Sequence, residues 1–394
     1  MFIRLINPIK SNSFFLFGAR GTGKSTFLAS FFAGEKVLWI DLLDSEIEDR
    51  YLRRPSDLRD QLAANRLTAE PNSWVVIDEI QRAPKLLDVV HSEIEKFGTK
   101  FALTGSSARK LKLGGANLLA GRAFMNHLFP LTHIEIAERF DLNEVLRWGA
   151  LPKIYQLTSE REKTAFLKAY SRTYLREEVW GEQLVRNIEH FRKFLEISAV
   201  TSGHIVNYTN IARDVGNDPK TVQNYFGILE DTLIGFFLPS FDRSVRKQQN
   251  VAPKFYLFDT GVQRSLAGLL TVDVLPQTTG YGRLFEQFVI SEFFRLNEYF
   301  ETEFKFSYLK TKDNAEIDLI IERPGNTLLL IEIKSRDQIN QSHVKVLKNF
   351  IGSFDNCKAL CISQDPIEKL IDGVRCLHWR QAFKEVFANA LNLK

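Results

Sequence analysis

Cysteine is scarce in this chain: Cys357, Cys361 and Cys376 are the only three in 394 residues, all near the C-terminus. They form no CxxC pair and no histidines cluster near them, which argues against a zinc site. So low a count suits a reducing compartment. No apolar run approaches the ~18 residues of a membrane-spanning helix. The opening stretch MFIRLINPIKSNSFFLFG lacks the apolar core of a signal peptide. A cytoplasmic protein with no membrane partner is expected. Internal repeats and low-complexity linkers are missing too, as is any NKxD-like element to read guanine. A net charge of +4 permits a nucleic-acid partner without requiring one.

What is present is ordinary globular material, 44% hydrophobic and 25% charged. At roughly 100–200 residues per domain, two to four domains are expected. Between residues 14 and 130 short β-branched or aromatic runs (FFLFG, KVLWID, WVVIDE, FALTG, FMNHLF) alternate with helical segments. That rhythm predicts a parallel sheet flanked by helices. Amphipathic helices follow to about residue 200, then a compact block of helices and two strands, then a long helix opening a final α/β unit. The expected divisions are 1–135, 136–190 as a helical lid or connector, 191–262 and 263–394.

The strongest local signal is GARGTGKST, comprising Gly18, Ala19, Arg20, Gly21, Thr22, Gly23, Lys24, Ser25 and Thr26. It fits G-x-x-x-x-G-K-[ST], with a strand before it and a helix after it. Glycines there let successive backbone N–H groups turn inward around phosphate oxygens. Lys24 adds charge toward the β/γ-phosphates and Ser25 is a Mg²⁺ ligand. In WVVIDEIQ, Asp78 ends an apolar strand, where it holds Mg²⁺, and Glu79 is placed as the base for a lytic water. Hydrolysis of ATP to ADP is therefore expected. Thr104 or Ser106 in FALTGSS either bonds the γ-phosphate or the lytic water, or caps a helix. Arg122 in LAGRAF either neutralises transition-state charge, in its own subunit or a neighbour, or makes a surface ion pair.

These motifs, followed by FPLTHIEI, HIVNYTNIARDVGNDPKTVQNYFGILEDT, PKFYLFDTGV, GRLFEQFVI and AEIDLIIE…IEIKS, resemble the AAA-superfamily P-loop ATPases of bacteria and archaea that end in a DUF4143 domain. The resemblance covers nearly the whole chain. It implies an AAA-type core with strand order 5-1-4-3-2, a winged-helix segment and a terminal PD-(D/E)xK nuclease-like domain. It also implies an arginine-finger role for Arg122 and hence a homo-oligomer, with a hexameric ring as one form. The loop departs from the commoner G-P-R-Q-x-G-K-T form but keeps both flanking glycines, the lysine and a hydroxyl.

Two further constellations bear on DNA. A helix, a turn around Gly216–Pro219 and a second helix from Lys220 form a helix-turn-helix layout, in which Lys220, Thr221, Gln223 and Asn224 would face a major groove. RSVRKQQN, between two strands, offers Arg243, Arg246 and Lys247 to phosphates. The alternative is a packing or protein-contact module, since Glu230 and Asp231 blunt the basic face. Downstream, Asp318 and then Glu332-x-Lys334 lie on strands expected to pair across Pro324-Gly325. With Glu286 on the preceding helix, they match the acid set and lysine of PD-(D/E)xK nucleases, which allows a second Mg²⁺ or Mn²⁺. Glu316 is an extra candidate ligand; His343 and the strand cysteines are expected to be bystanders. The functional expectation is an oligomeric ATPase acting as a motor or remodeller of duplex or branched DNA, with metal-dependent cutting as an optional second activity. The alternative is a nucleotide-controlled regulatory or defence switch whose C-terminal half binds a protein.

Overall fold

The computed structural model describes residues 2–65, 73–106, 111, 119, 121–173, 185, 187–242, 251–354 and 356–391. The first unit runs β1 (Ser13–Phe17), α1 (Lys24–Phe31), β2 (Val37–Asp41), α2 (Ser45–Arg53), α3 (Asp57–Ala64), β3 (Trp74–Asp78), α4 (Leu86–Phe97), β4 (Lys100–Gly105) and β5 (Ala123–His127). These strands form one parallel sheet in the order β2-β3-β4-β1-β5. Every residue of β1 and β3 is buried, because helices on both faces of a parallel sheet demand continuous apolar runs. Alternate side chains serve opposite cores. Phe15, Phe17, Val75 and Ile77 pack on one face, while Phe14, Leu16 and Val76 pack with Phe32 and Trp74 on the other. This register lines up the C-terminal ends of β1, β3 and β4, beside the loop at 18–23, Glu79 and Ser106.

The middle of the chain is helical: α5 (His133–Ile136), α6 (Leu142–Trp148), α7 (Glu160–Thr173), α8 (Ile188–Val200), α9 (Tyr208–Val215) and α10 (Pro219–Asp231). The hairpin β6 (Gly235–Leu238) and β7 (Lys254–Leu257) follows, then α11 (Thr260–Leu266). The turn between α9 and α10 needs the left-handed backbone of Gly216, φ 79°. Asp218 caps α10 through the amide of Thr221, with Pro219 at the first helical position. Fully buried Phe194 and Phe226, ring centroids 4.8 Å apart, contribute roughly 1.5–3 kcal/mol each by burial. This core runs past residue 262 to Leu266 and Leu270, since α11 packs back on α6, α7 and α8.

The last unit opens with the 22-residue α12 (Thr279–Phe300) and continues β8 (Lys305–Lys310), β9 (Glu316–Glu322), β10 (Leu328–Lys334), α13 (Gln341–Ile351), β11 (Cys357–Ser363), β12 (Lys369–Ile371), β13 (Val374–His378) and α14 (Trp379–Val386). The mixed sheet has the order β12-β13-β11-β10-β9-β8. It is not a separate body. Leu131, Ile136 of α5 and Leu146 of α6 share a core with Phe285, Val289 and Phe293 of α12. The β6 end also docks on β8: the amide of Phe241 donates to the carbonyl of Tyr308 at 2.6 Å, and that of Tyr308 to the carbonyl of Pro239 at 2.9 Å. Gly149 (φ 79°) allows another such junction, because a Cβ there would lie 2.0 Å from Oδ1 of Asp259. Asp259 Oδ2 accepts from the Ala150 amide at 2.7 Å. Among the described residues no helix is long and apolar enough to cross a membrane.

Candidate functional site

The loop between β1 and α1 folds as the glycine spacing requires. Gly21 (φ 77°) and Gly23 (φ 95°) take left-handed backbone, which costs glycine nothing. At Gly18 a Cβ would come 2.4 Å from the carbonyl oxygen of Leu128. Lys24 is buried at the start of α1, its Nζ donating to the carbonyl of Gly18 at 2.8 Å and lying 3.8 Å from Glu79. Ser25 Oγ donates to Asp78 Oδ2 at 2.5 Å. The Thr104 hydroxyl donates to the other oxygen of Asp78 and, at 3.1 Å, accepts from the Glu79 amide. Ala19 is buried, whereas Arg20 and Thr26 stand exposed at the mouth of a cavity of about 250 Å³. Ser25 and Asp78 together present a hydroxyl and a carboxylate, hard oxygen donors that fit Mg²⁺.

Glu79 itself is held in an unusual backbone, φ 60°, a strained conformation for a residue with a side chain. Gln81 Nε2 donates to the Glu79 carboxylate and lies 3.4 Å from Ser106 Oγ. Ser106 thus stands behind Gln81, and Gln81 Oε1 is buried with no hydrogen-bond partner. Gln81 is a site residue that the sequence reading passed over, although its place in IDEIQ, three positions after Asp78, put it on the same loop. A second cavity of about 380 Å³ continues past Gly23 and Thr26 and is walled by Phe2, Phe27, Phe31 and Pro152. No local motif signalled it, because its walls come from four separate stretches.

Arg122 is not brought to the loop. It precedes β5, whose first residue pairs with Ser13 at the start of β1, so it lies at the opposite end of the sheet. There its guanidinium pairs with Glu95 of α4. A role within its own subunit is therefore corrected by geometry.

The C-terminal acids do converge. Strands β9 and β10 pair antiparallel with Ile331 opposite Leu319, which sets Asp318 beside Glu332. Asp318 Oδ2 accepts from the Ile333 amide at 2.8 Å, and Lys334 Nζ lies 2.5 Å from Glu332 Oε1. Burial, then the Glu332 and Glu286 carboxylates, push the Asp318 carboxyl well above its ordinary range. Burial also raises Glu332, against the pull of Lys334. The unforeseen member is Lys254, from β7 and 3% exposed, 2.6 Å from Glu316 and 3.5 Å from Glu286. Burial alone would lower its ammonium, but Glu286, Asp318 and Glu316 hold it above the usual lysine range. Tyr256, also on β7, donates to Glu286 at 2.7 Å.

The donors expected for a second Mg²⁺ or Mn²⁺ are partly engaged within the protein. Lys254, Lys334, Tyr256 and the Ile333 amide each meet one of these carboxylates, while Glu332 Oε2 is buried with no hydrogen-bond partner. Among the described residues no group of three or more His, Cys, Asp or Glu side chains is placed to hold a metal. His343 caps its own helix, accepting from the Asn340 amide at 3.2 Å. Cys361 and Cys376 are buried and free.

On the helix-turn-helix, Lys220, Gln223 and Asn224 are exposed on α10. Thr221 is not a free reader, since its hydroxyl donates to the capping Asp218 at 2.6 Å. Arg243, Arg246 and Lys247 lie outside the described residues.

Comparison with known proteins assigns segments rather than the whole. Residues 10–137 match the family described as AAA domain, 139–273 a domain of unknown function (DUF8612), and 281–381 a domain of unknown function (DUF4143). The chain therefore carries an AAA-type domain followed by a DUF4143 domain. An uncharacterized protein of Mycobacterium tuberculosis is 25% identical over 253 residues, 64% of this chain and 56% of that one. The chain thus spans little more than half the length of that relative. An uncharacterized protein of Haemophilus influenzae is 20% identical over 386 residues, 92% of this chain and 91% of that one. Among solved structures, the Aeropyrum pernix ORC1 protein in complex with DNA aligns with 14% identity and a TM-score of 0.25, covering 65% of this chain and 86% of that chain.

Proposed function

We propose that the chain is a Mg²⁺-dependent ATP hydrolase of AAA type that works as a homo-oligomer on DNA. One observation carries the hydrolase reading: Ser25 Oγ and Asp78 Oδ2 meet at 2.5 Å directly behind the phosphate-binding loop. Loop amides and Lys24 would hold the phosphates, while Ser25 and Asp78 would hold the cation. When bound, Mg²⁺ supplies charge neutralisation at the β- and γ-phosphate oxygens. Glu79 would orient and deprotonate the attacking water. Gln81 holds that carboxylate, and Thr104 orients Asp78. The cavity walled by Phe2, Phe27 and Pro152 would take the base.

DNA action rests on the exposed polar edge of α10 and on the basic stretch at 243–247. The test is an ATPase assay with Mg²⁺ across single-stranded, duplex and branched DNA, following product sizes in the same reactions. Hydrolysis stimulated by DNA and weakened by salt is expected. Hydrolysis indifferent to all three would overturn the DNA role, and no hydrolysis at all would overturn the enzyme.

A second reading is favoured by Lys254 and Lys334, which neutralise the C-terminal acids. In it that half is a scaffold that binds a protein under nucleotide control and does not cut. The same assay separates the two, since hydrolysis that DNA does not stimulate, with DNA left full length, supports the scaffold.

A further inference from the structure

A trans peptide is planar, with its C=O and the next N–H pointing in opposite directions. Whatever grips a carbonyl on the outside of a loop therefore aims the adjoining amide inward. Two carbonyls of the phosphate-binding loop are gripped by residues from elsewhere in the chain. Tyr170 OH, on α7, donates to the carbonyl of Arg20 at 2.9 Å. Its ring also floors the loop, since a Cβ on Gly21 would lie 3.4 Å from it. Arg4 Nη1 donates to the carbonyl of Thr22 at 2.8 Å. These peptides supply the N–H groups of Gly21 and Gly23, the two left-handed glycines.

Arg4 is not a surface residue that happens to reach the loop. Its side chain is 6% exposed, and its Nε bonds Glu135 at 2.9 Å. Its Nη2 bonds the carbonyl of Phe129 at 2.7 Å and Tyr299 OH at 3.1 Å. Tyr299 belongs to α12, the helix that opens the DUF4143 domain. The same hydroxyl accepts from the Phe129 amide at 3.0 Å.

We propose that Arg4 and Tyr170 are positioning residues for the phosphates, and that through them the loop's affinity depends on the docking of the helical segment and α12. This rests on the nucleotide assignment above. Coupling of this kind is reciprocal, so a bound nucleotide tightens the Arg4–Tyr299 junction in turn.

The test uses the full chain. Binding of MgADP, of a non-hydrolysable ATP analogue and of tripolyphosphate is measured for wild type, Tyr170→Phe, Arg4→Lys, Arg4→Gln and Tyr299→Phe. Tyr170→Phe should weaken all three ligands by roughly five- to ten-fold, the worth of one hydrogen bond. Arg4→Gln should weaken them more, Arg4→Lys should recover part of the loss, and Tyr299→Phe should weaken them by about two-fold through Arg4. KM for ATP should rise while kcat at saturation stays near wild type, because ground state and transition state lose the same grip. A role confined to holding the fold would lower the melting temperature and leave these affinities alone. Wild-type affinity in both Tyr170→Phe and Arg4→Lys overturns the proposal. Failure of the wild-type chain to bind any of the three overturns the nucleotide assignment itself, a result seen before any variant is made.

Discussion

Ser25 and Asp78, 53 positions apart in sequence, are joined by a 2.5 Å hydroxyl-to-carboxylate hydrogen bond. β3 ends beside the loop that follows β1, although β4 lies between the two strands. Replacing either partner removes an oxygen donor from the proposed cation site. Ser25→Ala should weaken MgATP roughly ten- to a hundred-fold, the range for a charge-assisted contact, while nucleotide without Mg²⁺ binds as before. Lys24→Ala should abolish binding of both. Equilibrium titrations with and without Mg²⁺ decide this.

Glu79 and Gln81 should separate binding from turnover. Glu79→Gln is expected to keep ATP affinity and lower kcat by roughly a hundred-fold or more, the loss of a general base. Single-turnover kinetics reads it, and undiminished turnover removes Glu79 from the role. Gln81→Ala frees the carboxylate from its resting partner, so its kcat should change while KM holds.

Arg122 lies across the sheet from its own loop. β1 has five residues, which at about 3.3 Å each separate the two by roughly 16 Å. Arg122→Ala should therefore bind nucleotide normally, and any loss of turnover should need a neighbouring subunit. Mixing Arg122→Ala with Glu79→Gln chains checks this. Restored turnover shows action between subunits, and turnover that stays at the level of the separate variants counts against it.

Asp318 should leave a pH signature in stability. Its carboxyl titrates well above the ordinary value in the folded chain, through burial and then Glu332 and Glu286. Between about pH 4, its unfolded range, and that raised value, the folded state holds more protons. Stability contributed at this site is thus present at low pH and lost as pH rises through the folded value. Asp318→Asn should flatten that decline and raise the melting temperature most at alkaline pH. Parallel melts of the two proteins across pH 5–9 would show it, and identical slopes would refute it.

For the helix-turn-helix, Lys220→Ala should reduce the salt dependence of DNA affinity by about one unit of slope if that side chain meets a phosphate. Fluorescence anisotropy over a salt series is the measurement. An unchanged slope would move contact away from α10.

How much of this was legible depended on sequence separation. The loop at Gly18–Ser25, its flanking strand and helix, and Asp78 at a strand end were readable because apolar periodicity and glycine spacing are local. The pairing of Asp318 with Glu332 was readable across one short turn. Lys254 was not, since it reaches Glu316 from 62 positions away by docking of the β6–β7 hairpin. Thr221 misled for the opposite reason: helix capping three residues from Asp218 took the hydroxyl that seemed available for DNA. Arg4 and Tyr170 carry no motif at all, because a backbone carbonyl offers no sequence mark to its donor.

Strand β8 lies at one border of the six-stranded sheet, where unpaired main-chain groups would ordinarily invite another copy to add a strand. The contacts of Tyr308 with Pro239 and Phe241 satisfy the middle of that border from within the same chain. Strand addition there would first have to peel away a native segment, so this border is closed to fibrillar growth.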